Sequence, residues 1–281
     1  MWMTRWAKLW DMSGTVRQPS TELLRVAGVI EKMIDEYRRA LRSVAVVGRW
    51  EAPQESLALG WLLIRNVEAV AELARRDEVL VTAAWSNTRV AFELSTRIMW
   101  ILQPADRYEA ECRRLSLLGE YQEIEQKLAR EVPSQSDLHI RKAEAIKTFR
   151  EGVMAALPDG YKVSRMPSFL NMLNTLDIPE MYQYYRQGSQ FIHGGMYASA
   201  SYSKDLGSYR RLGDFTLTGD WVLPMRLSWL SLRNAARIIL DRLDVTNQAM
   251  PQWGELKDHA DEAFRALAFY ATQPGRRQID G

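Results

Sequence analysis

The sequence predicts an all-α fold: a multi-helix bundle of about eight helices, interrupted by one irregular Ser/Tyr/Gly-rich segment with room for a small β-hairpin. Three observations carry this expectation. Proline and glycine divide the 281 residues into long segments whose apolar positions recur at helical spacing. Apolar residues make up 47% and charged residues 26%, a balance that supports a core and argues against disorder. No continuous apolar stretch is long enough for a membrane span.

The elements follow in order. Ser20 is placed to cap a first helix running to about Val47, with Leu23, Ala27, Ile30, Ile34, Tyr37 and Leu41 as its apolar stripe. Pro53 suits the first turn of a second helix through Arg76, with Trp61 and Leu62 in its apolar part. A third spans about Glu78 to Gln103 and is stopped by Pro104. A fourth, rich in charge, runs from Ala105 to Val132 and ends at Pro133. Within it Glu109–Arg113 and Glu123–Lys127 have the favourable i,i+4 order. A fifth runs from Ser136 to Leu157 and closes at Pro158-Asp159-Gly160. Pro167 and Pro179 open two shorter helices, the second reaching His193, where Gly194-Gly195 ends it.

From Met196 to Trp221 the helical period disappears. Phe215-Thr216-Leu217 and Trp221-Val222-Leu223 flank Thr218-Gly219-Asp220 as a predicted hairpin. Two final helices run from Pro224 to about Val245 and from Pro251 to Thr272. The expected organisation is a Trp-rich arm over 1–19, a single helical domain over 20–272 and a mobile tail over 273–281.

The arm alternates charge with aromatics and does not read as a signal peptide. Trp2, Trp6 and Trp10 recur every four residues and would share one side of a short helix. Such an arm suits a membrane interface, a partner, or a lid on the same molecule or a second copy. With only Arg5 and Lys8 as basic residues, the lid is favoured over the membrane. Cys112 is the only cysteine, so no internal disulfide forms and a reducing, cytoplasmic setting is expected. A formal charge of +2 means that any nucleic-acid surface must come from local clustering.

Several chemistries are excluded. The sequence has no Gly-rich phosphate loop after a strand, no His-Glu-x-x-His and no nucleophile elbow. His139, His193 and His259 are far apart in sequence, which argues against a His-rich metal site but leaves carboxylate sites open, and no cofactor is expected. One segment stands out, Tyr184-Tyr185-Arg186-Gln187-Gly188-Ser189-Gln190-Phe191-Ile192-His193-Gly194-Gly195. Arg186 and His193 are seven apart, so they share a helix face about 10 Å apart along the axis, with Ser189 between them. A guanidinium holds phosphate oxygens bidentately and an imidazole moves protons near neutral pH, so the row suits attack on a phosphodiester. The plainer reading is a histidine closing a helix end beside an exposed arginine.

Further candidates are weaker. Arg89, Glu93 and Arg97 form an i,i+4 ladder inside the strongly apolar third helix, and should be partly buried and paired. Arg89 or Glu93 would support the same polar site as His193, or the ladder serves only to fix helix register. Arg226, Arg233 and Arg237 share a face, and Arg210-Arg211 lie in the irregular segment. They would track a phosphate backbone, or else form a solvated face paired in part with Asp241. Tyr182, Tyr184, Tyr185, Tyr197, Tyr202 and Tyr209 would stack bases, or pack a core or a homodimer interface.

These residues resemble the HEPN superfamily, and within it a bacterial branch of helical proteins of unknown function. The resemblance rests on the all-helical plan, the Arg-x6-His motif, a helix like Arg89-Val90-Ala91-Phe92-Glu93-Leu94, and a Tyr-rich helix ending in Ser-x3-His-Gly, here Ser189 to His193-Gly194. It covers about 57–243. It implies a metal-independent endoribonuclease acting on RNA, in phage defence or as a toxin, working as a homodimer whose motifs face each other, with a cognate inhibitor or sensor protein as a further partner. Arg186 would bind the phosphate and His193 would be the general acid/base, leaving a 2′,3′-cyclic phosphate. Gln187 stands where active members often carry Asn, and Gly188 lowers helical propensity inside the motif. The alternative is a non-catalytic helical module of the same kind that binds a protein or nucleotide partner.

Overall fold

The structure is a computed structural model that describes residues 18–44, 51–201, 203–205, 210–212, 216–243 and 250–273. The Trp2/Trp6/Trp10 arm, Tyr202, Tyr209 and the tail beyond Gln273 lie outside the described residues, as do the side chains of Tyr197, Arg210 and Arg211.

Helix α1 (Thr21–Arg42) starts where Ser20 caps it, the Ser20 hydroxyl accepting from the Leu23 N–H at 3.1 Å. It stops short of the expected Val47. The Ser43 hydroxyl donates to the Ala40 carbonyl at 2.6 Å and closes the last turn. Helix α2 (Glu51–Arg76) buries Leu59, Gly60, Leu63, Ile64 and Val67. The expected place of Trp61 and Leu62 is corrected: both face outward, 46% and 50% exposed, because the buried stripe runs one position off them.

The predicted third helix divides into a 3-10 turn, Glu78–Leu80, and helix α3 (Val81–Leu102). Glu78 is taken up in tertiary bonds. Its carboxylate accepts from the Ser20 N–H at 3.1 Å and the Thr218 hydroxyl at 2.8 Å, and its carbonyl accepts from the Trp221 indole at 2.7 Å. Three stretches of chain distant in sequence are pinned at one point.

Helix α4 (Arg107–Glu131) and helix α5 (Ser136–Ala155) form an antiparallel pair. The first half of α4 makes most of its contact with the core, through residues between Ala110 and Leu117, and Tyr121 packs against it farther along. Two of the charges of this helix lie in that buried half: Glu111 and Arg114 are each 1% exposed. Arg114 Nε donates to Glu111 at 2.8 Å, and Nη2 stands 2.6 Å from the same oxygen but off the hydrogen-bonding direction. The other Glu111 oxygen accepts the Ala52 N–H at 3.0 Å, satisfying an open donor at the start of α2. Farther along, the expected Glu123–Lys127 pair is replaced by Glu123–Arg165 at 2.9 Å and Lys127–Glu131 at 3.7 Å. The Glu109–Arg113 pair forms at 2.9 Å.

Two short helices follow, α6 (Phe169–Thr175) and α7 (Tyr182–Ile192), then α8 (Met196–Ala200) in a stretch where no helical period was expected. Strand β1 (Ser203–Asp205) pairs antiparallel with β2 (Arg210–Leu212), Ser203 opposite Leu212. Of the predicted hairpin over 215–223, the described residues 216–223 form no strand. Thr218–Trp221 is a 3-10 turn, drawn tight by the Leu217 N–H donating to Asp220 at 2.8 Å, and Val222 already belongs to helix α9 (Val222–Arg242). Helix α10 (Trp253–Thr272) closes the described chain.

Helix α3 is the centre of the bundle, in contact with α2, α4, α6, α7 and α9. Its junction with α9 is polar and close. Thr88 and Ser228 hydroxyls meet at 3.0 Å, and the Ser95 hydroxyl donates to the Ser231 carbonyl at 2.8 Å. Small side chains let the two backbones approach, and the Thr88, Ser95 and Ser228 hydroxyls find partners inside the core. Arg242 then holds the far end of α3, donating to the Leu102 carbonyl at 2.9 Å and the Pro104 carbonyl at 2.6 Å. Among the described residues no helix is long and apolar enough to cross a membrane.

Candidate functional site

Helix α7 carries the Arg-x6-His segment. A 3-10 turn, Pro179–Met181, leads into it, and His193 closes it, its N–H donating to the Ser189 carbonyl at 3.1 Å. Gly194 follows at φ 64°, a left-handed conformation that glycine adopts without a Cβ penalty.

The inner side of α7 is fastened to α3. Gly188 is buried there, and a Cβ on it would lie 3.0 Å from the Arg89 Cβ. The glycine that weakens helical propensity is therefore what lets the two helices touch. Arg89 Nε donates to the Ser189 hydroxyl at 3.1 Å and Nη2 donates to the Tyr185 hydroxyl at 2.8 Å, while the guanidinium lies 4.5 Å from the Tyr185 ring centre. Ser189 in turn donates to the Tyr185 carbonyl at 2.9 Å. Aromatic contacts complete the joint: Trp85 stacks on Phe191 at 5.2 Å, and Phe169 stacks on Tyr185 at 4.2 Å.

The charge ladder predicted in α3 is present and continues past it. Arg89 pairs with Glu93 at 3.4 Å, Glu93 with Arg97 at 3.2 Å, and Arg97 with Glu120 of α4 at 2.6 Å. The three ladder side chains are 17%, 27% and 19% exposed, so they are partly buried as expected. Burial alone would lower the Arg97 pKa, but the Glu120 and Glu93 carboxylates outweigh it and raise the value above the ordinary one.

Arg186 and His193 are exposed, and neither side chain makes a hydrogen bond or ion pair with any described residue. They share a stripe of α7 that faces solvent, with open donors and an open imidazole. The expected row of cation, hydroxyl and imidazole is corrected at its middle member. Ser189 lies between them in sequence, but its hydroxyl is spent on Tyr185 and Arg89. Arg89 and Glu93 back the helix from behind and form no hydrogen bond to Arg186 or His193.

The remaining candidates separate. Arg226 and Arg237 are exposed, and Arg237 stands 4.0 Å from Asp241. Arg233 is half-buried, 5.6 Å from the Trp229 ring centre, with its Nε unpartnered. They do not form one open cationic row, because α9 is buried on most sides and Arg233 turns onto a core aromatic. Arg226 also faces Asp261, whose carboxyl is held below its ordinary range by a hydrogen bond from Lys257, with Arg226 and Arg265 adding to it. His139 is buried and its Nδ1 lies 2.6 Å from Glu125, which ties α4 to α5. His259 is exposed on α10. Among the described residues, no three of the His, Cys, Asp and Glu side chains gather as a metal site.

A polar groove of about 720 Å³ between α4, α5 and the 163–168 segment was not anticipated. Arg150 crosses it, donating to the Leu115 carbonyl at 3.1 Å and to Gln122 at 2.8 Å. Its guanidinium leans on Gly119, where a Cβ would lie 3.1 Å away, and this mid-helix glycine was the available signal. Glu120 lines the same groove, so the ion-pair chain that starts at Arg89 of α3 ends there. Compared with family models, curated proteins and solved structures, the chain matches none.

Proposed function

We propose that the protein is a metal-independent endoribonuclease of HEPN type. It would cut RNA by attack of a 2′-OH on the adjacent phosphorus, releasing the 5′-oxygen and leaving a 2′,3′-cyclic phosphate. The observation that carries this reading is the contrast within α7. Tyr185 and Ser189 are fastened to Arg89, while Arg186 and His193 face solvent without a partner among the described residues. A helix held this firmly presents a guanidinium and an imidazole at fixed spacing, which is what positioning a phosphodiester requires. Arg186 would bind the phosphate oxygens, and His193 would move the proton. Two copies placed face to face would supply one imidazole to accept the 2′-OH proton and another to protonate the leaving oxygen. Such an enzyme, in phage defence or as a toxin in the cytoplasm, would need restraint by an inhibitor or a sensor protein.

The test compares wild type, His193→Ala and Arg186→Lys on one RNA with product ends mapped. Loss of general acid–base help slows cleavage about 10²–10⁴-fold in His193→Ala. Arg186→Lys is also strongly impaired, because an ammonium cannot grip phosphate bidentately. Both variants keep the fold, since both side chains are exposed. EDTA leaves activity unchanged. Full activity in His193→Ala, or products without a cyclic phosphate, overturns the mechanism. A wild type that cuts no RNA leaves the non-catalytic binding module.

A further inference from the structure

The stripe of α7 that carries Arg186 and His193 begins one turn earlier, because Tyr182, Arg186 and His193 recur at i, i+4 and i+11. Tyr182 is also the outer end of an aromatic series rooted in the core. Phe92 of α3 meets Phe169 edge-on at 5.5 Å, Phe169 stacks on Tyr185 at 4.2 Å, and Tyr185 stacks on Tyr182 at 5.7 Å with 22° between the planes. Phe92 is buried, Phe169 and Tyr185 are half-buried, and Tyr182 is half-buried at the end. Its inner face is occupied by Tyr185, and its hydroxyl makes no hydrogen bond with any described residue.

Building on the reading of Arg186 and His193 as a phosphate-handling pair, we propose that Tyr182 is a nucleobase-stacking residue and that the ligand is single-stranded RNA. An unpaired base lies on the outer face of the Tyr182 ring while its phosphate meets Arg186. Four residues of helix separate the two side chains by about 6 Å of rise, within the span of one nucleotide. Duplex bases are already stacked on one another and offer no free face, so the arrangement selects unpaired strands. A ring already held by Tyr185 loses little freedom when a base arrives, which favours binding.

The experiment is a fluorescence anisotropy titration with a short labelled 2′-O-methyl oligoadenylate, which 2′-OH attack cannot cut, beside an abasic strand of the same length. Tyr182→Ala binds the oligoadenylate about tenfold more weakly than wild type. Tyr182→Phe keeps the ring and binds as wild type does. On the abasic strand the Tyr182→Ala deficit disappears, whereas a loss caused by disturbed packing would persist. Wild-type affinity of Tyr182→Ala for oligoadenylate, or an equal deficit on both strands, overturns the stacking assignment and leaves the ribonuclease reading standing. Failure of the wild type to bind either strand overturns both.

Discussion

Glu111→Ala removes two hydrogen bonds in a place that water does not reach. The carboxylate holds Arg114 through Nε at 2.8 Å and accepts the Ala52 N–H at 3.0 Å, and the two side chains are 1% and 2% exposed. The other carboxylate near Arg114 belongs to Glu51, 3.6 Å away and 46% exposed, so solvent screens its help. Breaking one side of a buried pair typically costs about 3–5 kcal/mol, because the remaining charge stays buried without its partner. Glu93→Ala is the internal comparison. It also strands arginines, but they keep other partners: Arg97 has Glu120 at 2.6 Å, and Arg89 has Ser189 and Tyr185. With about a fifth of each side chain in solvent, Glu93→Ala should cost about 1–2 kcal/mol, between exposed and buried pairs. Urea unfolding followed by far-UV circular dichroism measures both, provided the slope with denaturant is unchanged. A Glu111→Ala loss equal to or smaller than that of Glu93→Ala would refute the reasoning that burial sets the magnitude. A Glu111→Met/Arg114→Met double variant should be less damaged than Glu111→Ala alone, since no charge is left behind.

Two further predictions follow from local geometry. Gly188→Ala places a methyl group 3.0 Å from the Arg89 Cβ, two positions fixed by backbone, so α7 must lift from α3 at a cost of about 1–3 kcal/mol. Hydrogen exchange should then show lost protection in α7 amides, and unchanged protection would contradict the close fit. Asp106 caps α4, and the Tyr161 hydroxyl first, then the Tyr108 and Glu109 amides, hold its carboxyl below the ordinary 3.8. A lowered folded pKa means a contribution present above the unfolded value and lost as pH falls through the folded one. The stability gap between wild type and Asp106→Asn should therefore narrow below about pH 4. An NMR titration placing Asp106 above its ordinary value would rule this out.

What the sequence determined by itself is everything that acts within a turn or two of helix. Ser20, Pro104, Pro133 and Gly194 mark boundaries because capping, a missing N–H and a left-handed backbone are properties of single residues and their neighbours. The Arg89–Glu93–Arg97 ladder was legible for the same reason: i,i+4 spacing brings the charges together, and the apolar residues around them imply burial. The exposed pair Arg186 and His193 needed only helical spacing and a helix end.

Tertiary structure decided what each surface meets. Glu111 looks like any other charge in α4 until the start of α2, 59 residues away, supplies an amide for it to accept. Glu78 gains its role from Ser20 and from Thr218, 140 positions distant. Gly188 reads as a weakness in α7 until Arg89 is packed against it, and the Ser189 hydroxyl reads as free until Arg89 takes it. The hairpin expected around Thr218 was lost to a tighter turn that carries Thr218 and Trp221 to Glu78. Propensity and capping are local energies of about 1 kcal/mol per residue, so they are written in short windows of sequence. Burial of a charge or a hydroxyl is worth several times more, and it depends on which helices meet, which no short window contains.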